Sequence, residues 1–212
     1  MSLVKFDADL FLNEVMPDVP GCAKEIAVNA IRNAAIEFCK KSFVWMETLD
    51  PVNIVANVDV YDLDGMPNGS VIERVNKLYY LGAELTPSNV DEVNAKRQSA
   101  VGGAVKYYAQ SSPTQVILYG MPDVSTTGAL VMNVSLTPSR TSSGIDSSIT
   151  DRYLDGIVSG AKSRLMLMPK KPWSDLSLAS YHKGEFASAV DTAMIDAARG
   201  FGRAPIRTKT YL

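Results

Sequence analysis

The eight residues MPKKPWSD (Met168–Asp175) lie between two segments that have the composition and the period of α-helices. Pro169 cannot continue the helix that precedes it, because its ring clashes with that helix and its nitrogen carries no hydrogen. Pro172 biases the residue before it away from the α region. The stretch therefore predicts a sharp corner between two helices.

The other side chains of this stretch favour the same corner. Lys170 and Lys171 lie where the last carbonyl groups of the first helix favour positive charge, and Ser174 or Asp175 can accept hydrogen bonds from the free amides of the second. Trp173, just before that cap, can pack on the first turn of the second helix. The predicted corner consists of Pro169, Lys170, Lys171, Pro172 and Trp173.

Helical periodicity extends from the corner in both directions. Before it, apolar residues recur at intervals of three and four from a cap at Thr150 or Asp151, and after it a second stripe runs to about Gly200. Near the N-terminus, Asp7 can cap a short helix, and residues 21–41 form a third periodic segment. We expect helices at both ends of the chain to pack together.

The middle of the chain has a different period. Residues 43–138 are rich in Val, Tyr, Leu and Thr and contain several turn clusters. LVMNVSL (130–136) alternates as a half-buried strand does, QVILY (115–119) is continuously apolar, and the composition of 71–82 also favours a strand. A short helix is expected at 88–98. The middle is therefore predicted to be β-rich.

Together these periods predict an α+β fold, in which N- and C-terminal helices form a bundle and a β-rich domain is inserted between them. The expected segments are the N-terminal helices (1–43), the β-rich domain (44–138), a flexible linker (139–149), the C-terminal helices (150–200) and an extended tail (201–212).

The composition indicates a globular protein that does not enter a membrane. Of the 212 residues, 46% are hydrophobic and 21% are charged. No run approaches the roughly 18 apolar residues that cross a bilayer, and the acidic residues near the start are unlike a signal peptide. Cys22 and Cys39 are expected about 26 Å apart on one helix, too far for a disulfide, so both should be buried thiols in a protein kept in the cytosol.

General binding to nucleic acid is not expected. The formal net charge is −2, whereas proteins that neutralise phosphates usually carry a basic excess. Lys106, Tyr107 and Tyr108 could stack on bases, but tyrosines in a strand more often take part in packing.

No pattern of side chains indicates catalysis or metal binding. The only histidine, His182, has no nucleophile elbow near it, so a solvated or capping role is expected. Asp62, Asp64 and Gly65 match three positions of a calcium loop, but the first ligand and the bidentate glutamate are missing, so a hairpin turn is expected. We predict no enzyme, no cofactor and no metal. An enzyme or ligand-binding protein would need titratable groups that converge in a pocket.

Two segments carry a resemblance to a known family. AIRNAAIEFCKKSFVW (30–45), followed by the β-rich middle and by the stretch 153–193, which contains GAKSRLMLMPKKPW and YHKGEF, resembles the head-to-tail adaptor proteins of tailed bacteriophages. These are the connector or tail tubular A-like proteins, found especially in short-tailed phages. The resemblance covers almost the whole chain in its order of elements.

The resemblance implies a structural virion protein of the neck, assembled in the host cytoplasm. Such a protein forms a dodecameric ring beneath the portal protein, and its helical bundle and C-terminal arm contact the portal. Its β-rich part then faces the tail nozzle (tail tubular B-like) protein or the tail fibres, and DNA passes through the ring without specific binding. The alternative is another neck protein, such as a head-completion or tail-completion (terminator) factor.

The last residues, GFGRAPIRTKTYL (200–212), agree with such an arm. Two glycines and a proline oppose helix continuation, and three cations occur with no acid nearby. The stretch is either an idle frayed end or a segment that orders on the portal. The candidate portal-binding residues are Arg203, Ile206, Arg207, Lys209, Tyr211 and Leu212.

Overall fold

The structure, a computed structural model, describes residues 3–97 and 105–200. These residues form five α-helices and eleven β-strands, so the mixed α+β class is as predicted. The helices are α1 (Asp9–Val15), α2 (Lys24–Ser42), α3 (Val90–Arg97), α4 (Ser147–Met166) and α5 (Leu176–Arg199). The strands are β1 (Leu3–Lys5), β2 (Met46–Thr48), β3 (Val52–Ile54), β4 (Val60–Asp62), β5 (Ser70–Tyr80), β6 (Ala83–Glu84), β7 (Thr86–Pro87), β8 (Tyr107–Ser112), β9 (Gln115–Tyr119), β10 (Thr126–Pro138) and β11 (Gly144–Asp146).

The chain folds as two compact units. The first takes in the chain up to Trp45, the short stretch Asn68–Ser70 and the chain from Thr137 onward. The second comprises Met46–Pro67 and Val71–Leu136. In sequence, the second unit therefore interrupts the first.

In the first unit, α4 packs against both α2 and α5. The close approach depends on small side chains, because a Cβ added at Gly156 of α4 would fall 2.5 Å from Cβ of Ala189 in α5. The buried face of α2 is rich in alanine for the same reason, including Ala30 and Ala34. The ring of Phe38 packs between these helices and lies 5.3 Å, centroid to centroid, from that of Tyr153.

A two-stranded ribbon closes this unit. Strand β1 pairs antiparallel with β11, so that Leu3 is opposite Asp146 and Lys5 is opposite Gly144. The backbone N–H of Phe6 extends the pairing by donating to the carbonyl oxygen of Ser143 at 2.9 Å. The N-terminal strand is thus tied to the residues that lead into α4.

Two predicted helix caps are wrong. α4 begins at Ser147 after the cap Asp146, whose carboxylate accepts from the amide of Ser148 at 2.9 Å, and the start predicted at Thr150 or Asp151 is too late. A kink at Tyr153 interrupts the apolar period, so the sequence pattern does not reveal the first turn of the helix. α1 follows Ala8, which makes no side-chain cap, so Asp7 is not the cap either.

Two sheets and α3 make up most of the second unit. One sheet has the strand order β2-β10-β5-β6, with β3 also pairing with β10, and the other has the order β4-β9-β8-β7. α3 packs on the second sheet through Val93, which contacts Ala109 and Ile117. The strands predicted at 115–119 and 130–136 are confirmed as β9 and a part of β10, and the one predicted at 71–82 is confirmed as β5 except that it ends at Tyr80.

Candidate functional site on the helical unit

The corner predicted between the last two helices is a tightly bonded turn. α4 ends at Met166 and α5 begins at Leu176. Between them, the backbone N–H of Lys171 donates to Oγ of Ser174, and the N–H of Ser174 donates back to the carbonyl of Lys171, both at 3.0 Å. The hydroxyl of Ser174 also donates to the carbonyl oxygen of Met168. The hydroxyl of Ser174 thus bonds to the backbone of both Met168 and Lys171 within the turn.

The next helix begins with a side-chain cap. Oδ1 of Asp175 accepts from the amides of Ser177 and Leu178, each at 2.9 Å. Trp173 is buried just before this cap, and the ammonium of Lys171 lies 5.9 Å from the centroid of its ring. Such a cation–π contact is worth about 0.5–1 kcal/mol at an exposed site. The cap and the Trp173 contact therefore stabilise this conformation of the corner.

The corner presents its other side chains to solvent. Pro169, Lys170, Lys171 and Pro172 are all exposed, and Lys170 has a left-handed backbone conformation with φ of 60°. A non-glycine residue is uncommon in this conformation. Two cations thus project from a fixed turn.

The predicted portal-binding residues, Arg203, Ile206, Arg207, Lys209, Tyr211 and Leu212, lie outside the described residues. The structure does show where that segment starts. Gly200, with φ of 64°, ends α5 in the left-handed conformation, and its N–H donates to carbonyl groups of the last turn. This conformation favours glycine and turns the chain away from the helix axis.

A groove on the three packed helices was not predicted from the sequence. We call it the α2–α5 groove; it has a volume of about 370 Å³. Its apolar lining includes Leu167, Phe186 and Val190, and its charged lining consists of Glu37, Lys41, Arg164, Lys183 and Asp191. No local motif marks it, because its residues come from three helices that are distant in sequence.

A charge cluster forms one rim of this groove. Oε1 of Glu37 lies 2.5 Å from Nζ of Lys41, and the guanidinium of Arg164 pairs with the other carboxylate oxygen. Burial alone would raise the pKa of Glu37, but the hydrogen bond from Lys41 and the charges of Arg164 and Lys41 outweigh it and lower that pKa. Glu37 therefore stays ionised and fixes both cations at the rim.

The first unit also exposes large apolar side chains. Leu176 is 74% exposed and Leu10 is 44% exposed. Further along α5, Leu178, Tyr181, Met194 and Ile195 are exposed as well. Leu176, Leu178 and Tyr181 lie at the start of the helix, and Met194 and Ile195 lie near its end.

His182 lies in the second turn of α5 and is half-buried, so it does not cap the helix and is only partly solvated. Its Nδ1 is buried and finds no hydrogen-bond partner among the described residues. Burial and the charge of Lys162 lower its pKa, and Asp18 and Glu185 oppose that shift. Its ring lies edge-on against Tyr181.

The residues that faintly match a calcium loop are spread over a connection. Asp62 ends β4 and accepts from Nε2 of Gln115 at 2.9 Å. β4 and β5 belong to different sheets, so the predicted hairpin turn around Asp64 and Gly65 is wrong. Within residues 3–97 and 105–200, no group of three or more His, Cys, Asp or Glu side chains could hold a metal ion.

Two further predictions concern packing. Cys22 and Cys39 are free and buried, as predicted, although Cys22 lies just before α2 and not on the same helix as Cys39, and burial raises the pKa of both thiols. Tyr108 is buried in its sheet, and the ring of Tyr107 lies 5.8 Å from that of its cross-strand partner Tyr119. These contacts agree with packing rather than with base stacking.

The first unit thus combines a groove, an exposed corner and exposed apolar side chains on α5. Among the described residues, no helix is both long and apolar enough to span a membrane. A family model described as SU10 adaptor protein matches residues 5–209, which is nearly the whole chain. The chain therefore belongs to the SU10 adaptor protein family, and it is a structural adaptor protein of a bacteriophage neck. A search of curated proteins found no match.

Proposed function

We propose that this adaptor docks on the portal ring of its phage through the helices of the first unit and the C-terminal tail. The observation that carries the proposal is the exposed corner with Lys170 and Lys171, together with the apolar side chains on α5, the helix from which the tail departs. Cations and apolar anchors of this kind suit a portal surface that carries carboxylates. Twelve copies would form the ring, and DNA would pass through it during ejection.

The tail is proposed to supply most of the affinity. Arg203, Arg207 and Lys209 would pair with portal carboxylates, and Tyr211 and Leu212 would occupy apolar pockets. Ile206 lies between the cations and would add a further apolar anchor. Ordering of the tail would then accompany binding.

The experiment is co-sedimentation with the portal ring of the same phage. We expect the full chain to saturate at one copy per portal subunit, and a chain that ends at Arg199 to fold normally but lose binding. A second variant, with Arg203, Arg207 and Lys209 replaced by alanine, tests the charges, and Thr208→Ala with Thr210→Ala is its matched control. Undiminished binding by the truncated chain would overturn the role of the tail. Binding to tail proteins but not to the portal would favour a tail-completion factor.

We propose that the second unit binds the tail nozzle protein or the fibres. Two neighbouring loops support this, because the N–H of Asn57 donates to the carbonyl of Pro122 at 2.9 Å. Around this contact Val55, Val58 and Val124 are exposed. Valines at a loop tip are well placed to anchor a partner.

The valine loops can be tested separately from portal docking. We expect Val124→Asp to abolish capture of the purified nozzle protein while portal binding is unchanged. Val71→Asp, which alters an exposed valine of β5 instead, is the matched control. Equal loss in both variants would refute a specific role for the loops.

A further inference from the structure

The α2–α5 groove is large enough to take an apolar side chain from another molecule. Its volume of about 370 Å³ exceeds the roughly 150 Å³ that suffices to bind benzene in an apolar cavity. Leu167, Phe186 and Val190 would surround an inserted side chain. The charged residues that line the groove include Lys41 and Lys183. The complementary partner is an apolar side chain with carboxylates beside it.

The outer face of α1 has this composition. Leu10 is 44% exposed, and Asp9 and Glu14 of the same helix are exposed as well. Between Phe6 and Pro17 the chain carries three carboxylates and no cation. The charged groove residues comprise three cations and two carboxylates, so an acidic ridge meets a site with a positive excess.

The ridge does not occupy the groove of its own subunit, because Leu10 is 44% exposed and no residue of α1 lines the groove. The turn Met16–Asp18 directly follows α1, and Asp18 pairs with Lys162 of α4 at 2.7 Å. The charge of Asp18 also acts on His182. Adjacent residues of an α-helix are rotated by about 100° around its axis. His182 therefore points in a different direction from Lys183, which lines the groove. The turn that follows α1 therefore lies beside Lys162 and His182, neither of which lines the groove.

We infer that the ridge of α1, with Leu10 at its centre, inserts into the α2–α5 groove of a second copy of this chain. Two different surfaces of one subunit then meet, which is a heterologous contact, and its repetition closes a ring if the rotation allows. Burial of Leu10 would supply the apolar part of the contact. Lys183 would face Asp9 or Glu14, since Lys41 and Arg164 already pair with Glu37. The inference rests on the proposed ring, in which this would be the contact between neighbouring subunits.

Disulfide cross-linking tests the contact directly. We would replace Leu10 and Ala187, an exposed residue that lines the groove, with cysteine in the full chain. After oxidation we expect a ladder of covalent oligomers, because every subunit carries both halves of the contact. A mixture of the two single variants should stop at the dimer. The native Cys22 and Cys39 are buried and should not contribute.

The matched control moves the first cysteine to a more exposed leucine. Leu176→Cys with Ala187→Cys should give no ladder, although Leu176 is 74% exposed and would collide more often with other molecules. Both pairs are oxidised with the free protein and with the protein on the portal ring. An equal ladder from the control, or no ladder from Leu10→Cys with Ala187→Cys under both conditions, would overturn the inference.

The outcome is distinguishable from a failure of the proposed docking. Co-sedimentation reports portal binding, whereas the cross-link reports contact between subunits. A ladder without co-sedimentation would support the lateral contact and reject the portal as the partner. Co-sedimentation without a ladder would keep the docking and reject the lateral contact.

Discussion

Gly160 of α4 lies against the ring of Phe186 of α5 so closely that a Cβ at this glycine would fall 2.5 Å from Cδ2 of the ring. The same Cβ would fall 3.1 Å from Cβ of Ala34 in α2. Three helices therefore meet at a position where only glycine fits. The fit of the helices at this point also shapes the α2–α5 groove, since Gly160 and Phe186 both line it.

Gly160→Ala should destabilise the protein, because overpacking of a filled core costs about 1–3 kcal/mol and outweighs the better helix propensity of alanine. Gly184→Ala in α5 is the control, since that glycine has open space around it and should gain about 0.5–1 kcal/mol. Urea unfolding of both variants measures the difference. Equal stabilisation by both substitutions would show that the helices can separate at Gly160.

Asp175→Ala should lower the free energy of unfolding by about 0.5–2 kcal/mol, because the amides of Ser177 and Leu178 lose their acceptor. Asp175→Asn keeps an acceptor oxygen and should cost much less. Thermal unfolding followed by circular dichroism compares the two. If the asparagine variant were as unstable as the alanine variant, the charge rather than the cap would be the cause.

Glu37→Gln should reduce stability at neutral pH by less than about 1 kcal/mol, because the carboxylate is one-third exposed. The pKa of Glu37 is lowered in the folded state, so its stabilisation is complete above the ordinary carboxyl pKa of about 4.3 and disappears as pH falls through the lower value. The difference between the two proteins should therefore vanish in acid. Glu14→Gln, at an exposed site on α1, is the control, and denaturant titrations at several pH values compare the two variants.

Tyr153→Phe should cost about 1 kcal/mol, because the hydroxyl of this buried tyrosine donates to Oδ2 of Asp196 at 2.8 Å. Burial, and then Asp196, raise the pKa of Tyr153, so the wild type keeps this stabilisation below about pH 10 and loses it as pH rises through the higher folded value. The cost of the substitution should shrink in alkali. A constant difference across unfolding curves from pH 8 to pH 11 would contradict this reading.

The parts of the fold that local signals encode could be predicted. Pro169, Pro172 and Asp175 stop one helix and start the next within seven residues, so the corner is visible without tertiary information. The alternation of 130–136 and the apolar run of 115–119 likewise reveal strands of the second unit. In each case the residues that decide the structure are neighbours in sequence.

The parts that depend on distant residues could not be predicted. The ribbon that joins Leu3 to Asp146 consists of two three-residue strands without a pattern of their own. The α2–α5 groove brings Glu37, Leu167 and Val190 together, and no spacing within one segment indicates that. The sequence places Gly160 within a predicted helix. Its contact with Phe186, however, depends on how two helices pack together.

The pairing of β1 with β11 also has a consequence for the order of events during synthesis. The ribosome must add about 140 residues after Leu3 before Asp146, the partner strand's last residue, exists. At about 5–20 residues per second this takes roughly 7–30 s. During that interval the second unit can emerge whole, while the buried faces of α1 and α2 still lack α4. The nascent chain therefore exposes the alanine-rich face of α2 for seconds before α4 can cover it.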